Sequence, residues 1–244
     1  MENYFSTNNK MSSDNTSSSL AHTHYKNQRF FVVVAGNIGS GKTTLTSKIC
    51  KRMGWKAYFE SVDDNPYLSD FYGDMDRWSF PLQVYFLTHR FNTHRLIISS
   101  ESSSIQDRSI YEDANIFARA LHEQGQMDKR DYENYLGLYS TMVSQLDYPH
   151  LMIFLKRSVP KLIERIKLRG RSYEQNIDPN YLAKLNDYYD DWMLNYKQGK
   201  SLVIDTDQLD FVHNEEQFEK LIQMIIQSSE QSDFIYQLNE SHFK

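Results

Sequence analysis

Short apolar runs alternate along this chain with longer stretches in which apolar residues recur every three or four positions. The runs fall at 30–35, 55–59, 103–106, 151–155 and 201–205. The first, Phe30-Phe31-Val32-Val33-Val34-Ala35, is continuous and rich in β-branched residues, the pattern of a strand buried on both faces of a parallel sheet. Leu45, Ile49 and Met53 follow at helical spacing. Helices are also predicted over 78–99, after Ser109 (Ala114, Phe117, Ala118, Leu121), over 129–146, from Val159, over 179–197 and over 215–227. Strand and helix signals in alternation predict one α/β domain.

The two ends lack this pattern. Residues 1–28 are dominated by Asn, Ser and Thr, a composition that buries too little apolar surface to offset the entropy of ordering. A disordered tail is expected there, with His22 and His24 solvated. Residues 229–244 are polar and poorly patterned, and fraying is expected. The aromatic stripe Tyr132, Tyr135 and Tyr139 reads as packing, against the core or a second subunit.

Charge and cysteine content narrow the classes. The net charge of −5, from 27 basic and 32 acidic residues, gives no reason to expect a general binder of nucleic acid or membrane surfaces. A single cysteine, Cys50, excludes an intrachain disulfide and reads as a buried structural thiol. No apolar run has the length of a membrane span, and the first 28 residues hold neither a signal-peptide core nor an arginine. A cytoplasmic location is expected.

Candidate chemistry begins where the first strand ends. Gly36-Asn37-Ile38-Gly39-Ser40-Gly41-Lys42-Thr43 fits G-x-x-x-x-G-K-[ST], a phosphate-binding loop between a strand and a helix. Its glycines allow backbone N–H groups onto phosphate oxygens, and the helix N-terminus adds partial positive charge. Lys42 would reach the β- and γ-phosphates and Thr43 would hold Mg²⁺. Glu60, at the next strand end, is either a general base near the γ-phosphate or a solvated loop carboxylate. Gln83, Phe86 and Arg90 share a helix face that could hold a flat heteroaromatic ligand, or form an ordinary surface with a solvated arginine. Asp107 ends the third strand, where a carboxylate suits Mg²⁺. Ser109 and Glu112 have capping-box spacing. Arg165, Arg169 and Arg171 are either partners of a helix dipole or a mobile cationic lid.

Together these segments resemble the deoxynucleoside kinase family, P-loop enzymes that phosphorylate the 5′-hydroxyl of deoxynucleosides. Four segments carry the resemblance: the loop from Gly36 through Thr44, the helix bearing Gln83, the triplet Asp107-Arg108-Ser109 followed by Asp113, and the stretch from Arg165 to Glu174. The resemblance implies a three-layer P-loop kinase fold, with a five-stranded parallel sheet flanked by helices, over residues 29–228 and a lid near 165–175. It implies that Glu60 is the general base, Asp107 the Mg²⁺ carboxylate and Arg108 a charge stabiliser. Gln83 would meet the base edge, beside Phe86, and Phe117 would stack on the base. Arg90 and Asp113 match a charged pair of members that take purines or deoxycytidine. Tyr72 and Glu174 match positions that hold the 3′-hydroxyl. Arg165, Arg169 and Arg171 match lid arginines, and Thr206 and Asp207 fall where the adenine of ATP is held. ATP, a deoxynucleoside, Mg²⁺ and a homodimer are the implied partners. The family's usual Glu-Pro reads Glu60-Ser61 here. A nucleoside monophosphate kinase and a non-catalytic structural relative are the alternatives.

Overall fold

The computed structural model describes residues 29–59, 65–171, 174–207, 209–230 and 235–238. The terminal tail at 1–28 and Glu60 lie outside the described residues. Strand β1 (Phe31–Gly36) leads into α1 (Lys42–Met53), and β2 (Lys56–Tyr58) is followed by α2 (Leu68–Gly73) and α3 (Met75–Ile98). Next come β3 (Ser104–Asp107), a continuous helix α4 over 110–123, α5 (Lys129–Val143) and β4 (Leu151–Lys156). The chain continues through α6 (Val159–Arg169), α7 (Pro179–Leu194), β5 (Lys200–Asp205), α8 (Glu215–Glu230) and β6 (Ile235–Leu238).

The strands form one sheet in the order β2-β3-β1-β4-β5-β6, and every pairing is parallel. Strand β1 is central and fully buried, so successive side chains feed opposite layers. Val32 and Val34 pack with Leu45 and Ile49 of α1 and with Phe218, Leu221 and Ile222 of α8. Phe31, Val33 and Ala35 face α3, α4, α5 and α7, through Leu87, Ile116, Tyr135 and Tyr189 among others. These are the two helical layers around the sheet that the alternating pattern predicts.

One expectation is extended and another is settled. The five expected strands are joined by a sixth, because Ile235–Leu238 pairs along β5 from Ser201↔Ile235 to Ile204↔Leu238. The segment expected to fray thus includes a sheet edge. Ile235 and Tyr236 have strong β preference, and β5 otherwise presents unpaired backbone groups on that side. A four-residue strand is too short to stand out by periodicity. The aromatic stripe of α5 is also committed inward: Tyr135 is fully buried in the core, and Tyr132 stacks on His122 with ring centroids 4.3 Å apart. Cys50 is half-buried, and its thiol donates to the Trp55 carbonyl at 2.9 Å.

Candidate active site

The parallel register brings the chemistry to the carboxyl ends of the inner strands. Val34 lies beside Asp107 and Gly36 beside Leu155, so the glycine loop and the Asp107 triplet leave the sheet together. Gly36 has φ 148°, and a Cβ there would lie 2.8 Å from both the Leu155 carbonyl and Ser40 Oγ. No larger residue fits at the start of the loop. Lys42 is buried, and its ammonium donates to the carbonyls of Gly36 at 2.9 Å and Asn37 at 2.8 Å. The Asn37 side chain donates to the Leu182 carbonyl at 2.9 Å and to Asn186 Oδ1 at 2.8 Å, tying the loop to α7.

Thr43, on the first turn of α1, donates its hydroxyl to Asp107 Oδ2 at 2.5 Å. Arg108 follows with φ 66°, the one non-glycine residue among those described with a left-handed backbone. Its N–H bonds the Val34 carbonyl at 3.0 Å. This sharp turn, which costs about 1–3 kcal/mol for a non-glycine residue, lets Asp107 and Arg108 line one cavity. Glu112 makes its half of the capping box, accepting from the Ser109 N–H at 2.9 Å. It does more than cap, because its other oxygen accepts from the Gly36 N–H at 3.3 Å and the Tyr189 hydroxyl at 2.6 Å. Beyond Glu112, α4 widens into a π turn over Asp113–Ala118, a feature common at functional sites. Asp113 and Phe117 from that turn both face the cavity.

The cavity, with the open solvent at its mouth, spans about 910 Å³. Tyr72, Gln83, Phe86, Arg90 and Glu174 line it, as do Ile38, Lys42, Thr43 and the pair Asp107–Arg108. Arg90 and Asp113 form an ion pair whose side chains are 5% and 1% exposed. The Arg90 guanidinium lies 4.6 Å above the Phe86 ring, and that of Arg108 lies 4.4 Å above Phe117. Gln83 is buried, and its Oε1 has no hydrogen-bond partner among the described residues. A buried acceptor left open in a cavity is a place for a ligand donor. Tyr181 also lines this cavity, and burial pushes its pKa up to about 12. Phe59 lines it as well, immediately before Glu60.

A second cavity, of about 1090 Å³, opens on the other side of the loop. Gly39, Gly41, Thr44, Arg165, Arg169 and Arg171 line it, together with Arg157 and Phe211, which the sequence did not single out. Lys42, Thr43, Arg169 and Arg171 line both cavities. Arg165 is exposed, whereas Glu174 is buried and ion-paired with Arg169 and with Arg171. Thr206 and Asp207 stand behind this cavity, not in its lining. Thr206 is fully buried, with its Oγ1 and carbonyl accepting from Arg157 at 3.1 and 2.6 Å, and Asp207 accepts from the Ser158 N–H at 2.9 Å. Leu209, Phe211 and Val212 form the wall instead. Burial and the neighbouring Arg165 push the Arg157 pKa down, although guanidinium remains charged in proteins.

Two cavities joined across a phosphate loop, with shared cations, are the arrangement of a nucleotide-dependent phosphotransferase. A sequence model of the deoxynucleoside kinase family matches residues 32–229. The chain is 36% identical over 204 residues to the deoxyadenosine/deoxycytidine kinase of Bacillus subtilis (strain 168), covering 83% of this chain and 94% of that one. It is 38% identical over 212 residues to the deoxyadenosine kinase of Dictyostelium discoideum, covering 87% and 84%. The structure of the M. mycoides deoxyadenosine kinase, described with dCMP and a flexible dCDP bound, superposes with a TM-score of 0.71 at 29% identity, covering 80% of this chain and 98% of that one. The chain belongs to the deoxynucleoside kinase family and is a phosphoryl-transfer enzyme with the fold of its relatives.

Proposed function

We propose that the enzyme transfers the γ-phosphoryl group of ATP to the 5′-hydroxyl of a purine deoxynucleoside or deoxycytidine, in preference to thymidine. The observation that carries this reading is the pair of cavities meeting at Lys42, Thr43, Arg169 and Arg171. The triphosphate lies along the glycine loop in the cavity of Thr44 and Arg165. The deoxynucleoside occupies the cavity of Gln83 and Phe117.

Lys42 leaves its loop carbonyls for the phosphates, and Arg108 and the lid arginines spread over the charge that develops at transfer. Glu60, next to cavity-lining Phe59, orients the hydroxyl and accepts its proton. Tyr72 and Glu174 hold the 3′-hydroxyl. Phe117 stacks on the base, and Gln83 Oε1 accepts from the exocyclic amino group of adenine or cytosine. The buried pair Arg90–Asp113 fixes the polar end of the base site, and Phe86 supports it from below. Committing Arg90 to Asp113 favours a nucleoside acceptor over a monophosphate, which requires cations for its own phosphate.

Thr43 and Asp107 present a hydroxyl and a carboxylate oxygen in contact, a donor set suited to Mg²⁺ held jointly with phosphates. No cluster of three or more His, Cys, Asp or Glu side chains placed to hold a metal ion exists among the described residues, so Thr43 and Asp107 are the residues that would hold the ion. Mg²⁺ bound there neutralises phosphate charge. The enzyme works as a cytoplasmic homodimer, with Leu96 and Leu138 among its exposed large apolar residues. Among the described residues, no helix is long and apolar enough to cross a membrane. ADP formation from ATP, stimulated by deoxyadenosine, tests the reading, and turnover that no deoxynucleoside stimulates would overturn it.

A further inference from the structure

Gly36 has a buried peptide carbonyl with two donors. Strand β3 ends at Asp107, and the bond from Arg108 N to the Val34 carbonyl shows that alternate residues of β1 turn their polar groups to that side. Gly36, two residues on, therefore finds side chains where a strand would have been. Its N–H donates to Glu112, and its carbonyl accepts from Lys42 and from the Tyr189 hydroxyl, each at 2.9 Å.

Tyr189 has one hydroxyl proton and two acceptors within reach, Glu112 Oε1 at 2.6 Å and the Gly36 carbonyl at 2.9 Å. It donates to one at a time. Burial and the Glu112 carboxylate keep the phenol protonated, and its ring is fixed by stacking on Phe154. Glu112 retains the Gly36 and Ser109 N–H groups when the phenol proton turns away. Among the described residues, the Gly36 carbonyl has no such reserve once Lys42 goes.

We propose that Tyr189 is a positioning residue for nucleotide binding: its hydroxyl proton turns from Glu112 to the Gly36 carbonyl when Lys42 leaves for the phosphates. This rests on the ATP reading above for its trigger, while the sharing of one carbonyl by two donors stands without it. The turn spares the loop a buried acceptor with no donor, which otherwise opposes release of Lys42.

The test compares wild type, Tyr189→Phe, Lys42→Ala and the double variant, with Lys42→Met in reserve should the alanine variant fail to fold. In urea without nucleotide, Tyr189→Phe lowers the midpoint by about 0.5 M more in the Lys42→Ala background than in wild type, because Gly36 then loses its last donor. In ATP titrations, Tyr189→Phe weakens binding at least about fivefold in wild type. In the Lys42→Ala background its effect is under about twofold, because the carbonyl loses Tyr189 equally in the free and bound states. Additive midpoints, or equal weakening of ATP binding in both backgrounds, would overturn the proposal. Wild type that binds no ATP would overturn the ATP reading and the proposed trigger, while non-additive midpoints would still support the shared carbonyl.

Discussion

The Thr43 hydroxyl and the Asp107 carboxylate meet at 2.5 Å, although 64 residues separate them in the chain. The contact exists because α1 begins where β1 ends and β3 ends beside it. Replacing Asp107 by Asn keeps an acceptor for Thr43 but removes the charge offered to a cation. The Mg²⁺ concentration for half-maximal rate should then rise about tenfold to a hundredfold. Rates measured against Mg²⁺ at saturating ATP check this, and an unchanged requirement would remove Asp107 from the metal site.

Lys42 and Glu60 should fail in different ways. Lys42→Ala should raise the KM for ATP and lower kcat together, because the ammonium holds the ground-state phosphates and grips the charge of the transition state more strongly still. Glu60→Gln should lower kcat by about 10²–10⁴-fold and leave the KM for ATP near wild type. Steady-state kinetics in ATP separate the two, and near wild-type turnover by Glu60→Gln would rule it out as the base.

The Arg90–Asp113 pair carries a stability penalty when broken from one side. Arg90→Met leaves a buried carboxylate uncompensated and should cost about 3–5 kcal/mol of folding stability. Adding Asp113→Ala should recover part of that loss. The double variant should also use thymidine better relative to deoxyadenosine. Urea melts and paired kcat/KM values test both halves, and a double variant weaker than Arg90→Met would show that the pair is not the coupled unit.

Acid should weaken the fold below about pH 6.5. His94 is fully buried, donates from Nε2 to the Asp147 carbonyl at 2.8 Å, and has its pKa pushed down by burial. The unfolded chain takes up that proton near pH 6.5 while the folded chain does not. Stability therefore holds above that pH and falls as pH drops towards the depressed folded pKa, with a slope of up to about 1.4 kcal/mol per pH unit. His150, whose Nδ1 accepts from Phe31 N at 3.0 Å, acts in the same direction and less strongly because it is more exposed. Unfolding midpoints from pH 8 to 5 measure this, and His94→Gln should flatten the profile.

What the sequence made legible was local. The loop from Gly36 to Thr43 and the triplet at Asp107 are contiguous, so their residue types alone imply their chemistry. Gln83, Phe86 and Arg90 were visible as one helix face, and the resemblance paired Arg90 with Asp113; the structure adds that this pair is buried. Glu112 was legible as a cap. Its bond to Tyr189, 77 residues away, was not, because no local period connects α4 to α7. The same distance problem hid Arg157 and Phe211, and with them the bonds by which Thr206 holds Arg157. The π turn at Asp113–Ala118 has no signature in a sequence read for a 3.6-residue period.

The cavity of Gln83 and Phe117 should receive a nucleoside and not a nucleotide. Initial rates of ADP formation with ATP and Mg²⁺ should be compared for deoxyadenosine, deoxyguanosine, deoxycytidine, thymidine and deoxyadenosine monophosphate. Turnover is expected with at least one of the first three, with weak use of thymidine and none of the monophosphate. Efficient use of the monophosphate, or of thymidine alone, would contradict this expectation.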